Sequence, residues 1–354
     1  MIRLRVILNL ILVTGAIFAQ RSYSVQNFDK TLDQDSCTTI DVSQKLGPLR
    51  NQGNIGWCYA NVAADLLTFR FHEDLHGEPA SAGYVALTFN EFAKLKPRPD
   101  QDAGLISPAV FFSQRNGICP QSFQDRVLKN SPFPTIKAQI EGLVELKLAF
   151  NKAKYKHFNE LDIVKKYRES NSYLNTLSDE ILIGILDSTS VRTFPRKLAE
   201  TLCKPHMVEV KHDVKIRFQE GFIEGWKNFF PALLKGEQNL SPKALGARDL
   251  IKEIHEELQH ENMVAISYYT RIFYKPGSEA YSRAGLHASS IVGRKWNETK
   301  KTCDFKLRNS WGKKCDSYTN PDLKENCEKD TGYVWIPETL LQQSISDIVY
   351  YKSK

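Results

Sequence analysis

One ten-residue stretch, Asn51-Gln52-Gly53-Asn54-Ile55-Gly56-Trp57-Cys58-Tyr59-Ala60, constrains this chain more than any other. A glutamine precedes a cysteine by six residues, with glycines between them. The apolar spacing of a helix follows at once, at Val62, Ala63, Leu66 and Leu67. Such a pattern puts a thiol at a helix N-terminus, where backbone N–H groups and the dipole lower its pKa. The glutamine amide can reach back into the same pocket and help bind an oxyanion. A cysteine alone proves little, because cysteines are among the most buried residue types.

A nucleophilic thiol needs a base, and the base needs an orienting group. The C-terminal region offers both. Gly285-Leu286-His287-Ala288 runs into an apolar strand pattern, Ala288 to Gly293, and Asp304 to Gly312 forms a second one ending in Asn309-Ser310-Trp311-Gly312. With these blocks in view the chain resembles the papain-like cysteine proteases. That family carries Gln-Gly-x-x-Gly-x-Cys-[Trp/Tyr]-Ala, then His-Ala before a strand, then Asn-Ser-Trp-Gly. All three blocks occur here in that order.

The resemblance implies Cys58 as nucleophile, His287 as its base and Asn309 as the group that holds the imidazole. It implies Gln52, with the Cys58 N–H, as the oxyanion hole, and Trp311 as a shield over the His–Asn hydrogen bond. A resting thiolate–imidazolium pair is expected, since pairing lowers a thiol from about 8.5 to roughly 3–4. A glycine-containing segment, Ala103-Gly104-Leu105, stands where the family lines the cleft and contacts substrate backbone. Leu286 is a further substrate-side position. One departure concerns the cysteine that the family carries three residues before the nucleophile, because Ile55 stands there.

The implied fold class is α+β. It has a papain-like helical lobe, an antiparallel β-barrel-like lobe and an inserted, mainly helical subdomain. The insertion is read from spacing: 229 residues separate Cys58 from His287, against roughly 130–150 in the family. Pro132 to Phe150, Asn159 to Arg168 and Leu177 to Leu186 carry helical apolar spacing. The expected organisation is a signal peptide at 1–19, an N-terminal arm at 20–45 and a helical lobe at 46–125. The insertion at 126–250 and the β lobe at 251–354 complete it.

The leader reading rests on Arg3 and Arg5 before an apolar run, Val6 to Phe18, and small residues ending at Ala19. Export makes disulfides available. Seven cysteines less the nucleophile leave six, an even set with fifteen possible connectivities that sequence does not choose among. The preferred pairing is Cys315–Cys327, Cys119–Cys203 and Cys37–Cys303. The arm leaves no room for a long inhibitory propeptide, so control would come from a protein inhibitor or from the insertion lying beside the cleft.

Net charge is +7, from 48 Lys+Arg against 41 Asp+Glu spread along the chain. A solvated surface explains this better than a nucleic-acid footprint. His72-Glu73-Asp74-Leu75-His76 matches the zinc-protease pattern H-E-x-x-H. Gly77 and Pro79 follow immediately and no third ligand block is evident, so solvated helix-end histidines are the preferred reading. The helix from Trp57 is expected to run to about His76. The expected protein is a secreted or periplasmic monomer without metal or cofactor that cleaves polypeptides. It has no nucleic-acid partner and no membrane contact once the leader is removed. Acyl transfer with the same machinery, or a non-catalytic binding protein on the same fold, are the alternatives.

Overall fold

A computed structural model describes residues 30–53, 55–92, 104–123, 136–210, 213–219 and 240–352. The leader 1–19, Ala103 and the start of the first helical stretch, 132–135, lie outside the described residues. Helices and strands are mixed. The longer helices are α1 (Cys58–Arg70), α2 (Ala82–Phe92), α3 (Ile106–Asn116), α4 (Ile136–Tyr155), α5 (Glu160–Ser170), α6 (Asp179–Ser188), α7 (Phe194–Cys203) and α8 (Ala247–Gln259). The strands are β1 (Ile40–Asp41), β2 (Val214–Gln219), β3 (Leu240–Leu245), β4 (Val264–Tyr269), β5 (Leu286–Asn297), β6 (Thr302–Arg308), β7 (Val334–Pro337) and β8 (Ile345–Tyr351).

The strands form one sheet in the order β3-β2-β8-β4-β5-β6-β7, with β1 added beside β5. Among the described strands only β2 and β3 run parallel. Side chains alternate across a strand, and β4 feeds two cores. Met263 and Ala265 face a core shared with α1, while Val264, Ile266 and Tyr268 face one shared with α8. A strand buried on both faces needs a near-continuous apolar run, which is why Val264 to Tyr269 lacks charge.

Every residue of α1 from Tyr59 to Thr68 is buried. A helix apolar on all sides belongs in an interior, and α1 lies between α2 and α3 on one side and the sheet on the other. The helix stops at Arg70, with turns from Phe71 to Gly77. It is therefore shorter than its apolar spacing suggested, and His76 sits at φ 53°. His72 and His76 consequently do not share a helix face. Among the described residues no group of three His, Cys, Asp or Glu is placed to hold a metal ion.

The segment read as one helical insertion divides in two. Helices α4 to α7 build their own core around Leu146, Phe150, Leu182 and Phe194. The chain then returns as β2, which pairs with β8 and places Ile216 and Phe218 in the α1 core. Sequence spacing found α4, α5 and α6 but neither α7 nor these strands. The helical unit is tied to α2 by Arg196–Glu91, and to the end of α3 by Cys119–Cys203. Cys37–Cys303 and Cys315–Cys327 complete the three disulfides, the pairing that had been preferred among fifteen. Three disulfides fit a chain that matures in an oxidising compartment. Among the described residues no helix is long and apolar enough to cross a membrane.

Asp65, buried on α1, accepts from Arg50 Nε at 2.7 Å and from Arg308 Nε at 2.9 Å. Arg308 is itself 2% exposed, so this charge has no water to fall back on. Its remaining donors reach the Gly47 and Pro48 carbonyls and the Tyr333 hydroxyl. Removing one member of a buried ion network strands the others. Asp65→Ala should therefore lower the free energy of unfolding by about 3–5 kcal/mol, read from urea denaturation. A loss under about 1 kcal/mol would mean that the cluster behaves as a solvated surface pair.

Candidate active site

Cys58 opens α1 and is half-buried; the other six cysteines are in disulfides. Trp57 stands at the N-cap without a side-chain capping bond, and its carbonyl accepts from the N–H groups of Ala60 and Asn61. First-turn N–H groups have no acceptor within their own helix, so the dipole's positive end is directed toward Cys58.

His287 is the second residue of β5, and Asn309 follows the last residue of β6. The antiparallel register, which sets Ser290 opposite Arg308, brings the two side chains together. His287 Nε2 lies 2.8 Å from Asn309 Oδ1. With Nε2–H as the donor, Nδ1 is left as the basic nitrogen of the neutral ring. The amide is held in its turn: Asn309 Nδ2 donates to the Tyr318 hydroxyl at 3.2 Å, and Ser289 Oγ approaches Oδ1 at 3.4 Å. Ser289 is linked to the Tyr268 hydroxyl at 2.8 Å.

Aromatic rings enclose this chain of bonds. Trp311 lies 5.0 Å from the His287 ring, between centroids, and Tyr268 meets it edge-on at 5.9 Å. Trp311 stacks on Tyr318, and Phe273 packs against both. Burial pushes His287 down to about 4, with the Asn309 bond pulling the other way. That direction opposes the preformed imidazolium expected from sequence, because an apolar enclosure disfavours the charged ring. An imidazolium here would need an opposite charge beside it. Burial also raises Tyr268 well above its usual value, and the charge of Cys58 is among the lesser causes. Cys58 is thus within electrostatic reach of a ring that touches His287.

The Gln52 segment is laced to the Asn309 segment. Asn51 and Trp311 form a β-bridge, Gln52 N–H donates to the Ser310 carbonyl at 2.8 Å, and Gly312 N–H donates to the Arg50 carbonyl at 3.2 Å. Gln52 Oε1 accepts from Ser310 Oγ, while Nε2 donates to the Ile55 carbonyl at 2.9 Å. Both ends of this amide are therefore oriented.

The cleft-lining positions separate. Gly104 lies so close to Tyr59 that a Cβ would come within 2.4 Å of its ring, so only glycine fits without displacing the neighbour of Cys58. Leu105 takes the N-cap position of α3 and packs on the α1 core. Leu286 remains 42% exposed beside His287. Sequence reasoning missed Tyr268, Ser289 and Tyr318, and also Arg50, Asp65 and Arg308. For the last two a signal existed: a lone Asp in an apolar helix and a lone Arg ending a buried strand need partners.

No protein-family model and no curated relative matches the chain. Solved structures of similar shape include the proform of the Amb a 11 cysteine protease, a ragweed pollen allergen. It has 10% identity and a TM-score of 0.42, with 94% of this chain and 67% of that one covered. Digestive procathepsin L 3 from the Tenebrio molitor larval midgut gives 9% and 0.43, covering 92% and 73%. PepW from Lactobacillus rhamnosis gives 14% and 0.44, covering 90% and 83%. Overlaps this low carry no weight for function.

Iodoacetamide applied to the native, unreduced protein should add one carbamidomethyl group, at Cys58. Peptide mass mapping checks this, and a label on any of the other six cysteines would contradict the disulfide set.

Proposed function

We propose that this chain is an exported papain-like cysteine peptidase, with Cys58 as nucleophile, His287 as base and Asn309 as its positioning residue. The reading leans on one observation above the rest. His287 Nε2 is 2.8 Å from Asn309 Oδ1 inside an aromatic enclosure, on a strand whose Ala288 and Val292 pack into the core of the Cys58 helix.

Cys58 Sγ attacks the substrate carbonyl carbon, and its proton passes to His287 Nδ1. The carbonyl oxygen, now negative, is met by Gln52 Nε2–H and the Cys58 backbone N–H. His287 then protonates the leaving amine as the C–N bond breaks, leaving a thioester on Cys58. Water, deprotonated by His287, attacks the thioester, and the carboxylic acid leaves as the thiol reforms. Asn309 is neutral, so it orients the ring without holding a charge that would compete with the thiolate. Gly104 and Leu105 line the non-primed side and Leu286 stands at the mouth. Polypeptides are the substrates, and the protein acts as a monomer. Helices α4 to α7 restrict access to the cleft or dock a partner.

Cys58→Ser should abolish hydrolysis of a fluorogenic peptide while the circular dichroism spectrum is kept. Activity near the wild-type rate would sink the nucleophile assignment. Gln52→Ala should lower kcat by about 10²–10³ with little change in KM, as loss of an oxyanion donor does. A change confined to KM would make Gln52 a ground-state contact.

The pH profile follows from the burial of His287. A ring held down to about 4 accepts a proton from solvent only below that value. kcat/KM should therefore stay level through mildly acidic pH and fall below about 4. An acid limb centred near about 6.5, the free imidazole value, would mean the enclosure does not persist in solution.

A further inference from the structure

At the far end of β5, roughly 25 Å from His287 at about 3.3 Å per residue, the sheet carries a cavity of about 410 Å³. Its floor is the outer face of β5, β6 and β7, with Lys295, Asn297, Asp304 and Trp335. Its wall is the segment Glu325 to Glu328, fastened by Cys315–Cys327. The volume lies in the range of small-ligand pockets.

Three features distinguish it from an ordinary surface hollow. Asp304 is 1% exposed, yet its Oδ1 has no hydrogen-bond partner. Its other oxygen accepts from Asn297 Nδ2 at 2.6 Å. Among the described residues no cation forms an ion pair with Asp304; Lys300 and Lys295 act on it only at longer range. Burial accordingly pushes this carboxyl up, as happens when a carboxylate lacks its counter-ion. Across the cavity Asn326 Nδ2 is also buried and unpartnered, a donor left over opposite an acceptor left over. Buried polar atoms are normally satisfied, so orphans of both kinds around one cavity ask for an occupant with both donors and acceptors.

The charge of the lining selects the occupant. Glu298 pairs with Lys301 at 2.9 Å and Glu328 lies 3.9 Å from Lys306, but among the described residues Asp304 and Glu325 form no ion pair, and Lys295 is the one cation in the lining. That lysine does not neutralise them: its Nζ lies 4.0 Å from the Trp335 ring centroid. The ring's second support, Glu328 Oε1, accepts from the indole N–H at 2.8 Å. An aromatic face that already carries one ammonium, beside the two carboxylates of Asp304 and Glu325, suits an organic cation. A guanidinium offers a fork of donors to Asp304 Oδ1 and the rim carboxylates. A neighbouring carbonyl oxygen would satisfy Asn326 Nδ2. We propose that this cavity binds a basic amino-acid residue, free or within a peptide, with Asp304 Oδ1 anchoring its guanidinium or ammonium group. The site stands apart from Cys58 and does not depend on the peptidase reading.

Asn297 begins the sequon Asn297-Glu298-Thr299. Its amide is used internally, since Oδ1 accepts from the Thr299 and Lys300 N–H groups while Nδ2 serves Asp304. The cavity floor therefore depends on this side chain.

Titration calorimetry on the full chain with Nα-acetyl-arginine amide tests the site, with Nα-acetyl-citrulline amide as the neutral isostere. Saturable binding of the arginine compound and none of citrulline is expected. Asp304→Asn should weaken binding at least tenfold, as expected when a charge-assisted bond is lost. Glu325→Gln, at an exposed rim position, should weaken it about threefold and guards against a folding defect in the first variant. The circular dichroism spectrum and the labelling of Cys58 by iodoacetamide should be unchanged in both. Equal binding of the citrulline compound would overturn the assignment. So would an unaltered affinity in a folded Asp304→Asn protein, or no saturable binding of the arginine compound up to about 10 mM.

Discussion

A single buried carboxylate holds the parts of this molecule in register. Asp65 takes Arg50 on one oxygen and Arg308 on the other. Each partner sits next to a residue of the proposed site. Arg50 is two residues before Gln52, Arg308 immediately precedes Asn309, and Asp65 itself lies about two turns beyond Cys58 on α1. The helix, the glutamine loop and the asparagine strand thus meet at one point of charge. Taking three charges out of water is costly, and their attraction repays it only with good geometry and satisfied donors. The carbonyls of Gly47, Pro48 and Ala80 supply those remaining bonds. The result favours one arrangement over its neighbours, because a small slip of either arginine would leave a buried charge unpaired.

The site beyond this anchor is governed by desolvation. Trp311, Phe273, Tyr318 and Tyr268 exclude water from the His287–Asn309 bond. The same exclusion that strengthens a hydrogen bond penalises the charged ring. A neutral asparagine is consistent with that balance, since an aspartate would add a second buried charge. In the proposed reaction the imidazole is charged only while the thiolate or the oxyanion stands beside it. The bond that Asn309 accepts from Ser289 and the one it donates to Tyr318 then have a clear use: they leave the amide one orientation, and with it the ring one tautomer.

The helical unit α4 to α7 shows how a large insertion is accommodated. It has its own apolar core, and its described ties run to α2 and Cys119. The return through β2 widens the sheet on the side of β8, away from the β5–β6 edge that carries His287 and Asn309. The order of strands around His287 is therefore undisturbed by the added chain.

Much of this was legible in the sequence. The Gln52–Cys58 block, the His287 and Asn309 strands, and the helical spacing behind α4, α5 and α6 announce themselves through local chemistry and short-range periodicity. Those signals are written within a dozen residues, so a linear reading recovers them. The end of α1 was overestimated, because its apolar spacing outlasts its hydrogen bonds. β2 escaped notice, because six residues beside a helical insertion declare no sheet until β8 is there to pair with them. Asp65 with Arg308, Ser289 with Asn309, and Asp304 with its unmatched oxygen belonged wholly to the tertiary structure. A lone charge or hydroxyl in a sequence states a need but not its partner, and only folding brings Arg308 across 243 residues to Asp65. Burial then decides what those groups are worth, since the protonation of His287 depends on which rings surround it in space.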